Sequence, residues 1–213
     1  MRKPAWSIEC LLHSRLYHLR YRRLLAVNAW CSTVFVHPPK TAGTSIARAL
    51  DMRGPGHFPL ARHLRTRRVP VRRCILSTRD PVTRLQSTFR YARKSNHGTP
   101  LSPVRFLRRF ERLEEFVLSD MFPTAVRYHY FFAPQSRFAA GIEGLDCEVG
   151  IVRQERFDAD MAQLGFAGTP VVNPSPDMAI SNAVALSDEG TARVRELYGD
   201  DYRLLAELEA RIR

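Results

Sequence analysis

Lysine is scarce in this chain: Lys3, Lys40 and Lys94 stand against thirty arginines among 213 residues. A lysine inside a structured motif therefore calls for a chemical reason. The four cysteines (Cys10, Cys31, Cys74, Cys147) are far apart and match no metal or redox spacing, so neither a zinc module nor a thiol–disulfide centre is expected. Reduced, mostly buried thiols are the expectation, as in a cytoplasmic protein. No run approaches the ~18 apolar residues needed to span a bilayer. The start, "MRKPAWSIECLLHSRLYHLRYRR", is basic but has no continuous apolar core and no small-residue cleavage site, so no signal peptide is read. Internal repeats and low-complexity tracts are lacking too.

What is present suits a globular protein and not a disordered one: 45% hydrophobic, 25% charged and 10% aromatic residues. The length fits one domain, 31–213, with a basic amphipathic helical arm over 1–30. The net charge of +12 is unevenly spread. Residues 53–94 carry +11 and residues 143–213 carry −7. Such asymmetry points to a polyanionic partner, whether nucleotide, acidic glycan, nucleic acid or membrane surface, against the alternative of an arginine-rich solvated face.

Apolar periodicity predicts an α/β fold, with a central, mainly parallel sheet flanked by helices. The strands are read at 33–36, 74–80 and 147–152. Helices are read at 44–52, around 60–66, and at 82–94, 102–120, 157–164, 187–198 and 200–212. In the 102–120 helix, Ser102 is the N-cap, Pro103 opens the first turn, and Val104, Leu107, Phe110, Leu113 and Val117 form the apolar face. Residues 8–26 pack either on the domain or against a membrane surface as a peripheral contact.

Two strand-to-helix junctions carry the chemistry. In "VFVHPPKTAGTSIARAL" (34–50), Lys40 brings a compact positive charge to a loop with Gly43. Thr41, Thr44 and Ser45 offer hydroxyls there, and the main-chain N–H groups from Ala42 onward open a helix able to receive an anion. The lysine precedes the glycine, so this is not the Walker A order. In "STRDPVTRLQSTFRY" (77–91), Arg79 ends a strand and Ser87 lies on the following helix, an arginine fork and a hydroxyl suited to a second phosphate.

"HPPKTAGTS" resembles the 5′-phosphosulfate loop of sulfotransferases that use 3′-phosphoadenosine-5′-phosphosulfate (PAPS), closest to the carbohydrate sulfotransferase branch. "RDPVTRLQSTF" resembles the 3′-phosphate motif of the same family, in the expected order. "RQERFDADMAQLG" (153–165), "VVNPS" and "LYGDDY" are looser likenesses toward the C-terminus. Thr83 departs from the pattern, standing where an acid is usual, which leaves Arg84 to find a different partner.

The resemblance implies a P-loop-like phosphate site and metal-free, in-line transfer of a sulfuryl group from PAPS to an acceptor hydroxyl, releasing 3′,5′-adenosine bisphosphate (PAP). Lys40 would neutralise the leaving oxygen, residues 40–45 would hold the 5′-phosphate, and Arg79 and Ser87 the 3′-phosphate. Seven histidines compete for the role of base. In similar sulfotransferases it lies between the two phosphate motifs, which puts His57 first, in a stretch resembling the family's histidine-bearing loop, and His63 second. A carboxylate, or a structural role for both histidines, is the alternative. His37 is read as shaping the loop, and Asn173 and Ser175 as lining the pocket or forming a plain turn.

The implied acceptor is a carbohydrate or other small hydroxylated molecule, with an anionic one favoured by the charge. The arginine bias, with no membrane anchor, favours a bacterial cytoplasmic enzyme. Two rivals share parts of this pattern. A nucleotide kinase would need a metal-binding acid, for which Asp80 is the only strand-end choice. A nucleic-acid-binding module would use the basic 53–94 segment, but neither a binding motif nor an aromatic platform accompanies it, so nucleic acid is not the expected partner.

Overall fold

The computed structural model describes residues 5–54, 56–93, 103–172 and 182–212. Asn173, Ser175, Ser102, His97 and Lys94 lie outside them. The chain divides into two compact units, each assembled from separate stretches. One comprises Met1–Arg15, Asp80–Ala133 and Ser175–Arg203; the other comprises Leu16–Arg79, Pro134–Pro174 and Leu204–Arg213. Helices α1 (Ala5–Val27) and α10 (Gly199–Ile212) contribute to both.

The second unit holds the sheet. Strands β1 (Thr33–Val36), β2 (Arg73–Thr78) and β3 (Glu148–Arg153) pair in parallel in the order β1-β2-β3, with Phe35 opposite Ile75 and Ile75 opposite Gly150. The continuous apolar runs "TVFV" and "CILS" are the mark of parallel strands covered on both faces. Phe35, Ile46, Ile75, Val152, Phe157 and Met161 form the buried core beneath helices α2 (Gly43–Ala49) and α8 (Phe157–Gln163). Helix α3 (Leu60–Thr66) matches its sequence reading.

Helix α2 stops short of the predicted residue 52. Asp51 is left-handed (φ 49), its N–H donates to Arg48 C=O, and Met52 N–H donates to Ala47 C=O at 2.8 Å. These are the two bonds of a Schellman stop. Helix α8 ends in the same way, with Gly165 (φ 86) at the turn. The buried Arg153–Asp160 fork ties the end of β3 to α8: Asp160 accepts from Arg153 Nε (2.8 Å), Nη2 (2.6 Å) and the Arg153 main-chain N–H (2.8 Å). The looser motif at 153–165 thus has a structural purpose.

The first unit contains no strand among its described residues. Its core is aromatic, with the Phe116 ring lying 5.3–5.7 Å from those of Phe106, Phe122 and Phe132. That core breaks the single helix expected over 102–120. A short 3-10 turn (Arg105–Arg109) is followed by extended Phe110 and Arg112, and then by α5 (Leu113–Leu118). Phe106 and Phe116 are both buried, whereas the expected face counted neither of them. Burying both rings outweighs helix continuity, and the carbonyls of Phe110 and Glu111, freed at the break, accept from Arg93. Pro103 lies in a turn and not in a first helical turn.

Helix α4 (Pro81–Arg93) opens in the manner its sequence suggests: Asp80 Oδ1 accepts from Thr83 N–H at 2.9 Å, and Pro81 takes the first helical position. Arg84 is fully buried. It donates to Ala133 C=O (2.7 Å), pairs with buried Asp201 (3.7 Å) and lies over the Tyr198 ring. Tyr198 in turn donates to Phe132 C=O (2.7 Å). The "LYGDDY" stretch therefore holds the "RDPVTR" segment in place. Helices α6 (Met121–Tyr128) and α9 (Asp188–Leu197) complete this unit, and α7 (Gln135–Ala139) belongs to the other.

Candidate functional site

The loop from β1 to α2 is strained. Lys40 (φ 69) and Ala42 (φ 59) are left-handed without being glycine, a conformation costing an L-residue about 1–2 kcal/mol. The N-cap Ala42 has no side-chain cap bond, and the helical ladder begins only when Ser45 and Ile46 donate to Ala42 C=O. The N–H groups of Gly43 and Thr44 precede that ladder. Left-handed residues in a turn direct successive N–H groups to one side, which is how main chain builds an anion-binding concavity. With seven residues, α2 adds little dipole of its own, so the loop itself supplies the polarity.

The side chains of this loop divide their labour differently from the sequence expectation. Thr41 is buried and donates to Pro38 C=O (2.8 Å), with Ser77 Oγ at 2.6 Å on the end of β2. Its hydroxyl anchors the loop and does not face a ligand. Ser45 Oγ, also buried, accepts from Val172 N–H at 2.8 Å. Thr44 is exposed. Gly43 is needed for a reason invisible in the sequence: an added Cβ would sit 2.0 Å from His37 Nδ1. His37 fills that space with its ring parallel to Phe35 (5.5 Å, 5°), and Nδ1 is buried without a hydrogen-bond partner. Burial first, then the neighbouring His57, holds the His37 pKa well below the usual histidine value.

His57 reaches this loop from the 53–59 segment. Its Nδ1 lies 2.9 Å from His37 C=O, and a carbonyl can only accept. Nδ1 therefore carries a proton, and in the neutral ring the lone pair is on Nε2, the tautomer a base requires. The His57 ring meets the His37 ring edge-on at 4.3 Å and stacks on Tyr17 at 5.7 Å. Its main-chain N–H donates to the Tyr17 hydroxyl at 2.8 Å. Gly56 (φ 69) permits the turn, and the Phe58 ring occupies the place its Cβ would take, 2.5 Å away. His63 differs: it is buried, and desolvation lowers its pKa to about 4, with Arg67's charge acting the same way.

Arg79 closes β2 in the same unit. Gln135, fully buried, grips its main chain at both ends: Arg79 N–H donates to Gln135 Oε1 (2.9 Å), and Gln135 Nε2 donates to Arg79 C=O (2.7 Å). The Arg79 guanidinium reaches the loop, with Nη1 3.4 Å from Lys40 C=O. Residues 37–45, His57 and Arg79 are thereby brought together within one unit. Ser87 is placed in the other, buried in the second turn of α4. Tyr17, Ser77 and Gln135 were missed by sequence reasoning, because each acts through a contact between stretches remote along the chain.

The basic 53–94 segment is partly structural. Arg67 donates to Asn28 C=O and Cys31 C=O, and Arg73 pairs with Glu148 (2.9 Å). Arg84 is buried, and Arg93 lies over the Phe89 ring (3.6 Å). Arg53, Arg62, Arg65, Arg68 and Arg72 are exposed and remain available to an anionic partner. Comparison with family models, with curated proteins and with solved structures returned no match.

Proposed function

We propose that this chain is a PAPS-dependent sulfotransferase acting on a hydroxyl of a carbohydrate or other small acceptor. One observation carries the reading: a strained, lysine-bearing loop is joined directly to a histidine of base tautomer through His37 C=O and to an arginine through Lys40 C=O. Two left-handed non-glycine residues within three positions are strain of the kind that clusters at ligand-binding sites.

In this reading the donor supplies an activated sulfuryl group and a phosphate leaving group. The N–H groups of Gly43 and Thr44, which precede the helical ladder, bind the 5′-phosphate, with Thr41 stiffening the loop from behind. Lys40 stabilises the charge that gathers on the leaving oxygen. His57 Nε2 takes the proton of the acceptor hydroxyl, while Nδ1–H to His37 C=O fixes the ring and Tyr17 fixes its main chain. Arg79 binds the 3′-phosphate as a fork, its main chain held by Gln135. Ser87, which belongs to the other unit, is left out of this site. The kinase reading is weakened because the Asp80 carboxylate is already engaged in capping α4.

The test is a titration of PAP and 5′-AMP, without magnesium. Wild type binds PAP about ten- to a hundredfold more tightly, the worth of a charge-assisted arginine–phosphate contact. Arg79→Ala removes most of that preference, and Arg79→Lys restores only part. Equal affinity of wild type for the two nucleotides would overturn the proposal.

A further inference from the structure

Among the described residues, nine large hydrophobic side chains are exposed, and seven of them fall between residues 8 and 30. Leu16 (61% exposed) and Leu19 (59%) lie on the solvent side of α1, Val27 follows, and Trp30 (73%) stands just past its end. Ile8 and Leu12, eight and four residues before Leu16, continue the spacing. At 100° per residue, Ile8, Leu12, Leu16 and Leu19 fall in a stripe about 80° wide. Arg15 and Arg22 lie on one flank of it, Arg20 on the other, and Arg23 within it near the C-terminal end; all four are exposed. The helix has a single acidic residue, Glu9, which is only partly exposed.

The opposite side of α1 is spoken for. Tyr17 and His18 meet His57 and Phe58 in one unit. Trp6 donates to Met121 C=O (3.1 Å) and Ser14 to Tyr128 C=O (2.8 Å) in the other. The stripe is thus not a core face awaiting its own domain.

We propose that the solvent face of α1 docks on the surface of an anionic phospholipid bilayer, lying along it without crossing. No helix of the described residues is long and apolar enough to cross. An apolar stripe rimmed by arginine, with tryptophan at its end, is the composition of a helix that lies in a lipid interface. Charge decides between occupants. A second copy would set these four arginines against the same four by symmetry, with no acid on the face to answer them. A surface of phosphate head groups answers all of them. The proposal is independent of the donor assigned above.

The experiment is sedimentation of the full chain with vesicles of phosphatidylcholine, with and without about a quarter phosphatidylglycerol, while following tryptophan fluorescence. The expected result is binding that needs phosphatidylglycerol, weakens with salt, and is accompanied by a blue shift that Trp30→Phe removes. Replacing Arg20, Arg22 and Arg23 by Gln lowers affinity roughly a hundredfold, at about tenfold or less for each charge. Leu16→Glu with Leu19→Glu abolishes binding while the urea midpoint stays unchanged, since both sites are exposed; Leu118→Glu, at an exposed site elsewhere, leaves binding intact. Equal binding to both vesicles, or Leu16→Glu with Leu19→Glu binding like wild type, overturns the proposal. So does a dimer in solution that this double variant turns into a monomer, since a second copy would then cover the face. If the double variant shifts the urea midpoint, Trp30→Phe and the arginine variant decide on their own.

Discussion

The loop after β1 and the start of α4 solve the same problem, opening a helix, in opposite ways. At α4 the helix opens on side chains suited to it: Asp80 caps, Pro81 takes the position that needs no N–H donor, and Arg84 pairs with Asp201 and donates to two carbonyls. At α2 the cap position is a left-handed alanine with no capping side chain, and a lysine two residues earlier is left-handed as well. One junction is built for stability. The other holds main-chain polarity in reserve, as functional sites do. The two junctions should therefore fail differently when altered.

The largest effect should come from the settled junction. Asp201→Ala leaves the buried Arg84 guanidinium without its counter-charge, and breaking one partner of a buried pair costs about 3–5 kcal/mol. Urea unfolding checks this; a loss near that of a surface pair would mean that Ala133 C=O suffices for Arg84. The next effect belongs to the histidines around the strained loop. The unfolded chain protonates His63 near pH 6.5, whereas the folded chain resists until about 4. The unfolded state thus binds the extra proton between those values, and stability falls as pH drops through them, by a few kcal/mol at most. Above pH 6.5 His63 contributes no pH dependence. His63→Gln should flatten the profile of urea midpoint against pH in that window; an unchanged slope would assign the acid loss to other groups.

How much of this was legible depends on range. The three strands announced themselves because runs such as "CILS" can only be buried, and α8 because Gly165 marks its stop. The break at Phe110–Arg112 was not legible: the helical spacing of Val104, Leu107, Leu113 and Val117 is real, but the rings of Phe106 and Phe116 override it by packing on each other and on Phe132. The site was half legible. Lys40, Arg79 and His57 stand out by residue type and motif, while the hydroxyl of Thr41, apparently offered to a ligand, is consumed by Pro38 and Ser77. Gly43 is required by the His37 ring, a contact the sequence does not reveal. Contacts such as Arg79–Gln135 and His57–Tyr17 leave no local trace that spacing can reveal.

At the strained junction the expected losses are in chemistry. Lys40→Ala should lower turnover at least ~10²-fold, the scale of removing one oxyanion-type donor, and weaken PAP binding less. His57→Ala should abolish transfer and leave PAP affinity nearly intact, because a base acts on the acceptor and not on the donor. Neither variant should approach the destabilisation of Asp201→Ala. If His63→Ala removed transfer and His57→Ala did not, the base would be the wrong histidine despite the bond to His37.

The smallest effect is the sharpest test of the contrast, because it should change sign between the two junctions. Ala42 adopts φ 59, ψ 17, which costs an alanine about 1–2 kcal/mol and a glycine almost nothing. Glycine also gives the unfolded chain more freedom, worth about 0.4–1 kcal/mol in the other direction. Ala42→Gly should therefore stabilise the fold by a net amount of about 0.5–1 kcal/mol. Asp80→Ala, which deletes the cap on Thr83 N–H, should destabilise by about 1 kcal/mol. Urea midpoints at constant slope measure both. If the alanine's strain also fixes the N–H groups in their anion-receiving geometry, Ala42→Gly should weaken PAP binding a few-fold even as it stabilises the protein, since glycine permits the left-handed turn without enforcing it. A variant both less stable and unchanged toward PAP would mean that Ala42 is at ease in its turn, and that the loop after β1 holds no more in reserve than the start of α4.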